Sequence, residues 1–281
     1  MPSAKFAQIT DIHMTGFTMQ DGLVCPRLPA HAWWAISRRY DLMGYLLPIA
    51  LEQLQKQFAP QFIFFGGDQV DDGFGKYGPG DLAQVKQVVE AHVKVPVRFL
   101  YGNHDGPQDR WAALYGELNW THDLDPPRGA GVSPAGGVRL VGLNTGSMEP
   151  EQEVASSAAA LAHLKQAIAT LGGRKLIVAA HQWIYPTDVH GYSLANAPEV
   201  LATLQATPQA LAVISGHFHT GRYDEHEGIH FCTGKALCES PFSYSTYEVT
   251  DDELIWTQYK LSPAEKAFVV AETRRLKLRK A

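Results

Sequence analysis

Residues 60–68 read Pro60-Gln61-Phe62-Ile63-Phe64-Phe65-Gly66-Gly67-Asp68. Four consecutive apolar residues, with a proline before and two glycines after, fit a strand covered on both faces. That strand ends on an acid. The same pattern recurs outward in both directions. Residues 5–10 lead into Asp11-Ile12-His13, and residues 97–101 into Gly102-Asn103-His104-Asp105. Residues 138–143 lead into Asn144-Thr145, residues 176–180 into His181, and residues 211–214 into Ser215-Gly216-His217-Phe218-His219.

Helical rhythm fills the gaps. Leu42, Tyr45, Leu46, Ile49 and Leu54 keep an i, i+3, i+4 spacing, with Pro48 expected to kink or restart the helix. Asp81 is expected to cap a helix carrying Leu82, Val85, Val88, Val89 and Val93. Leu161, Leu164, Ile168 and Leu171 form another, stopped by Gly172-Gly173, and Pro198 suits the first turn of a short one. The last third is rich in strand formers at 229–233, 243–249 and 253–259, and Ser262-Pro263-Ala264-Glu265 reads as the capping box of a final helix over about 263–280. The expectation is an α/β chain, one domain over residues 1–281, with two packed sheets inside helical layers. Residues 129–137, rich in glycine, are expected to be a loop. Residues 14–40, which include Trp33 and Trp34, are expected to form a lid, a pocket wall or an oligomer contact.

Composition narrows the functional classes. Among 281 residues there are twelve histidines and three cysteines, Cys25, Cys232 and Cys238, without C-x-x-C spacing. They read as free thiols of a reducing compartment, with no zinc-finger framework. A net charge of −5 argues against a protein that coats nucleic acid. With no secretory signal pattern and no run of ~20 apolar residues, the expected location is the cytoplasm. The basic run 274–280 reads as a solvated helix end that suits the helix dipole.

The chemistry gathers at the strand ends. Asp11, His13, Asp68, Asn103, His104, His181, His217 and His219 all stand where ligands bind in open α/β sheets. Imidazoles, carboxylates and an amide, without thiolate, suit borderline-to-hard divalent ions such as Mn²⁺, Fe²⁺ or Zn²⁺. Residues two apart on extended backbone point the same way, so Asp11/His13 and His217/His219 are each expected to grip one ion. With His104 set aside, seven ligand-capable groups are too many for one ion and suit two, with Asp68 between them. Two ions ~3.5–4 Å apart clamp the attacking and leaving oxygens of a phosphoryl displacement.

Taken in order, Asp11-x-His13, Gly67-Asp68-x-x-Asp71, Gly102-Asn103-His104-Asp105, His181 and Gly216-His217-x-His219 resemble the five blocks of the calcineurin-like metallophosphoesterase superfamily. The resemblance implies a four-layer αββα sandwich, two mixed β-sheets flanked by helices, around a two-metal centre. It implies Asp11, His13, Asp68 and His219 as ligands of one ion, and Asp68, Asn103, His181 and His217 as ligands of the other. His104 becomes the acid or phosphate-orienting group beside an attacking metal-bridging hydroxide.

The substrate reading rests on finer features. The protein phosphatase branch typically carries arginine where this chain has Asp72, and a carboxylate there should repel a dianionic monoester. Ser37-Arg38-Arg39-Tyr40, Lys94-Val95-Pro96-Val97 and Thr220-Gly221-x-Tyr223 resemble the manganese-dependent ADP-ribose/CDP-alcohol diphosphatases. Arg38 and Arg39 could meet a diphosphate, and Trp183, Tyr185 and Tyr223 could stack on a base. The expectation is a hydrolase of phosphodiester or diphosphate bonds in a small, nucleotide-like substrate. The alternatives are a cyclic nucleotide phosphodiesterase, a broad phosphatase and a non-catalytic binding scaffold.

Overall fold

The computed structural model describes residues 3–20, 23–26, 37–125, 137–146, 150–185, 194 and 196–279. In chain order the strands are β1 (Ala4–Ile9), β2 (Phe17–Gln20), β3 (Leu23–Pro26), β4 (Phe62–Phe65), β5 (Val97–Phe99), β6 (Trp120–Leu124), β7 (Val138–Leu143), β8 (Lys175–Ala180), β9 (Ala210–Ser215), β10 (Arg222–His226), β11 (Ile229–Thr233), β12 (Ser243–Val249), β13 (Glu253–Ser262) and β14 (Ala267–Lys277). The helices are α1 (Tyr40–Phe58), α2 (Gly78–His92), α3 (Gln108–Tyr115), α4 (Pro150–Ala169) and α5 (Ala197–Gln205).

One six-stranded sheet has the order β14-β13-β12-β1-β4-β5, and the other β10-β11-β9-β8-β7-β6. Both are mixed: β1 runs parallel to β4 and antiparallel to β12, and β8 runs parallel to β7 and β9 while β6 opposes β7. Strand β4 shows how the layers arise. Phe62 and Phe64 enter a core shared with Phe6, Tyr247 and Trp256 of the same sheet and with Leu140, Ile177 and Ile214 of the other. Ile63 and Phe65 face the opposite way, against Met43, Leu47 and Leu51 of α1 and Leu82, Val85 and Val89 of α2. A third core joins Val141, Leu143 and Val178 to Leu164 of α4 and Val200 and Leu204 of α5. Helix, sheet, sheet, helix is the four-layer sandwich expected from the unbroken apolar strands. Each fully buried phenylalanine contributes about 2–3 kcal/mol of transfer free energy.

Several local expectations change. The chain ends in a strand, not in a helix over 263–280. Ser262 Oγ does accept the Glu265 N–H at 3.3 Å, as a capping box would. Lys266 then takes φ 52°, and the chain turns back to pair β14 with β13 from Ser262↔Ala267 to Glu253↔Lys277. The long-range ladder, with Phe268 and Leu276 buried, outweighs the local helix signal. The α2 helix opens at Gly78, not at Asp81, and the Asp81 carboxylate accepts the Gly16 N–H at 3.0 Å. The α1 helix continues through Pro48 instead of restarting.

Residues 14–40 hold the β2–β3 hairpin, and Met14 bridges to Val70. Trp33, Trp34 and most of the expected glycine-rich loop lie outside the described residues. Cys232 and Cys238 are free and buried. Among the described residues no helix is long and apolar enough to cross a membrane.

Candidate metal centre

The two sheets present their strand ends to one another at a single cluster. Asp11 and His13 follow β1, Asp68 follows β4, Asn103 and His104 follow β5, His181 follows β8, and His217 and His219 follow β9. Neither the Asp11/His13 pair nor the His217/His219 pair is on extended backbone, contrary to what the spacing suggested. Asp11, His13, Asp68 and His217 have φ values of 53°, 46°, 52° and 65°, in the left-handed region. Each costs about 1–2 kcal/mol for a residue with a Cβ, strain of the kind that persists at functional sites. Backbone bonds hold it: Asp11 N–H donates to Gly67 O at 3.1 Å, and His13 N–H to Asp68 O at 3.0 Å.

The ring nitrogens and carboxylate oxygens then converge. Asp68 Oδ2 lies 3.5 Å from His13 Nε2 and 3.2 Å from His181 Nε2, between the two. His13 Nε2 faces His219 Nε2 at 3.2 Å, and His219 Nε2 lies 3.4 Å from Asp11 Oδ1. On the other side, His181 Nε2 is 3.2 Å from both Asn103 Oδ1 and His217 Nδ1. Asp68 Oδ1 takes the His104 backbone N–H at 2.9 Å, leaving Oδ2 to the rings.

The outward nitrogens of four histidines are already engaged. His181 Nδ1 sits 2.7 Å from Gly66 O, His104 Nδ1 2.7 Å from Asp71 O, and His219 Nδ1 2.8 Å from Glu239 Oε1. His13 Nδ1 lies 3.0 Å from Asp71 Oδ1. Each oxygen requires the proton on that outward nitrogen, so the inward nitrogen is left as a lone pair aimed at other acceptors. Burial resists charge on His181 and His219, but Asp68 and Asp11 overcome it. Their rings are pushed up to about 9 and about 10, protons standing where positive charge is demanded. Asp11 and Asp68 stay ionised well below the usual carboxylate range despite burial, through the histidines beside them. His13 moves the other way, down to about 3, from burial and the nearby Arg38 guanidinium. Ring nitrogens and carboxylate oxygens packed this closely demand positive charge between them, which protons supply in the metal-free protein and divalent cations would supply in their place.

Three residues outside the expected set join the site. The Cys238 sulfur and ring nitrogens of His13 and His219 all lie within 4.8 Å of one another. Burial, and then Asp11, push that thiol well above its ordinary pKa, so it stands as a neutral thiol. Glu239 backs His219, and Arg38 backs Asp71. Glu239 and Cys238 arrive on the loop after β11, where Cys238 N–H donates to Asp11 O at 3.2 Å. Asp105 is a brace: its carboxylate takes the N–H groups of Gln69, Val70 and Gly102 at 2.7, 3.2 and 2.9 Å.

Of the three aromatic rings expected to receive a base, Trp183 is buried, while Tyr185 and Tyr223 are half-buried with a guanidinium over one face. Trp183 is buried against Phe218, with the Arg222 guanidinium 5.0 Å from its ring centre and 5.3 Å from that of Tyr185. Tyr223 is covered by Arg274 at 4.9 Å, and its hydroxyl meets His230 Nδ1 at 3.1 Å. Arg39 pairs with the exposed Asp41 at 2.6 Å.

Residues 4–221 match the family model for calcineurin-like phosphoesterases. The chain belongs to the calcineurin-like phosphoesterase family. It is a metal-dependent phosphoric ester hydrolase, and the family works with two metal ions. Among solved structures, a dimetal phosphatase from Danio rerio is similar over 99% of this chain and 100% of its own, with TM-score 0.69 and 16% identity. GAP50, the anchor in the inner membrane complex of Plasmodium, covers 100% of this chain and 90% of its own at TM-score 0.66 and 15% identity. A purple acid phosphatase from yellow lupin seeds covers 98% of this chain and 54% of its own, with TM-score 0.56 and 13% identity. At these identities the likeness is one of fold. A search of curated proteins gives no match. Within the calcineurin-like fold, the motif residues of this chain occupy one cluster at the paired strand ends.

Proposed function

We propose that this phosphoesterase hydrolyses a phosphodiester or diphosphate bond of a small, nucleotide-like substrate. Asp11, His13, Asp68 and His219 would hold one divalent ion, and Asp68, Asn103, His181 and His217 would hold the second. The observation that carries the assignment is the convergence of inward ring nitrogens, with Asp68 Oδ2 between His13 and His181. When bound, the ions supply a clamp for the attacking and leaving oxygens and lower the pKa of a water between them.

The chain's own residues do the rest. His104 donates Nδ1–H to Asp71 O at 2.7 Å, and that carbonyl supports the ring when its other nitrogen carries a proton for the leaving oxygen. Asp68 Oδ1, fixed by the His104 N–H, ties the position of that acid to the metal centre. Substrate preference follows from Asp72. Its side chain is exposed, and its neighbour Gly73 donates to His104 O at 2.8 Å, which brings this loop beside the acid. A monoester dianion is repelled there more than a singly charged diester or the bridging part of a diphosphate.

The test is hydrolysis of ADP-ribose, CDP-choline, cyclic AMP and a bis-aryl phosphodiester with Mn²⁺, and again after chelation. Turnover of the diphosphates or diesters, lost on chelation and abolished in Asn103→Ala and His104→Ala, is the expected result. Asp72→Arg should raise activity on an aryl monoester. Turnover that survives both alanine substitutions contradicts the site, and monoesters as the best substrates of the native chain contradict the preference.

A further inference from the structure

The two halves of the centre are backed by different chemistry, and the difference points to a residue outside the motifs. His181 is backed by a backbone carbonyl, Gly66 O. His13 and His219 are backed by carboxylates, Asp71 and Glu239, at 3.0 and 2.8 Å. One guanidinium reaches both. Arg38 Nη1 donates to Asp71 Oδ1 and lies 3.2 Å from His13 Nδ1, while Arg38 Nε lies 3.8 Å from Glu239 Oε1. Backbone bonding holds the arginine in place, through an antiparallel bridge between Arg38 and Glu239 and an Arg39 N–H to Cys238 O bond of 2.7 Å. The Tyr40 hydroxyl adds a 3.2 Å bond to Asp71 Oδ1. The Arg38 side chain is 17% exposed, and its shortest contacts are to Asp71 and His13.

We infer that Arg38 is a positioning residue for one of the two metal sites. It locks Asp71 and Glu239, which lock His13 and His219 with their Nε2 atoms 3.2 Å apart. A planar fork suits this task, because one rigid group reaches two carboxylates from fixed directions, and a lysine ammonium cannot. Its positive charge lies beside Asp71 and Glu239 and offsets part of theirs. The inference rests on the ligand assignment above, with His13 and His219 on one ion.

The experiment is calorimetric titration of Mn²⁺ into chelator-stripped protein, native and variant, beside thermal unfolding of the stripped forms. Substitution of groups that orient metal ligands typically costs 10–100-fold in affinity. Arg38→Met should weaken one of two binding events by that factor and leave the other within threefold. Arg38→Lys should recover only part of the loss. In Arg38→Ala, millimolar methylguanidinium should restore the weakened event, which a merely structural role would not allow. Glu239→Gln, which changes a single atom, should weaken the same event and serves where an Arg38 variant fails to fold. Two events with native affinities in Arg38→Met, or equal weakening of both, overturns the inference while the metal centre stands. Absence of any Mn²⁺ binding by the native protein overturns the metal centre itself.

Discussion

Gly67 shows how tightly single residues are set at this site. It has φ +98°, and a Cβ there would lie 2.3 Å from His181 Nδ1. Its carbonyl receives the Asp11 N–H, so it links two of the strained turns. Gly67→Ala should cost about 2–5 kcal/mol, combining left-handed strain with displacement of the ring. The urea midpoint of the metal-free protein measures the cost, and loss of the Mn²⁺ event that uses His181 should accompany it. The motif residues were legible because each stands at the carboxyl end of an apolar strand, where side-chain chemistry is conspicuous. Cys238 and Glu239 were not. They reach the site through the Cys238 N–H to Asp11 O bond, a tertiary contact between segments more than two hundred residues apart. Arg38 was noticed in the sequence but assigned to substrate, because nothing local announces that Asp71 faces it.

The C-terminal elements show where local rules stop. The Ser262–Glu265 bond is the one a capping box makes, yet it closes a turn between strands. What decides is the open edge of β13, which β14 covers along its length. The basic run was expected to suit a helix dipole, and one residue does so on a different helix. Arg279 donates from Nη2 to Leu204 O at 3.2 Å and to Thr207 O, and from Nε to Pro208 O at 3.1 Å, at the end of α5. Arg279→Ala should destabilise the fold by about 1–2 kcal/mol through loss of the hydrogen bonds its charged side chain donates there. Chemical denaturation should show this with phosphoesterase activity unchanged at 25 °C, since α5 stands outside the centre. The helices α1, α2, α4 and α5 were legible in the sequence, since each carries an apolar stripe that a sheet face must cover. The sheet order was not, because pairing partners such as β1 and β12 lie far apart in sequence and depend on closure of the whole fold.

Across the molecule, folding and metal binding are coupled by charge. The sandwich brings Asp11 and Asp68 from one sheet against His181 and His219 from the other, and their attraction opposes desolvation. In the metal-free protein at pH 7, His181 and His219 therefore carry extra protons, with pKa values raised to about 9 and about 10. Ions must displace them, so Mn²⁺ uptake at pH 7 should release protons, and apparent affinity should rise with pH until about 9–10. Titration in buffers of different ionisation enthalpy measures that release; uptake independent of buffer and of pH between 7 and 9 would contradict it. The account as a whole stands on two ions sharing Asp68. The most direct measurement is Mn²⁺ titration of the stripped protein followed by electron paramagnetic resonance. Two ions per chain with an exchange-coupled multiline spectrum, as expected for ions ~3.5–4 Å apart, is the result the account predicts. One ion per chain, or two with independent signals, would contradict it.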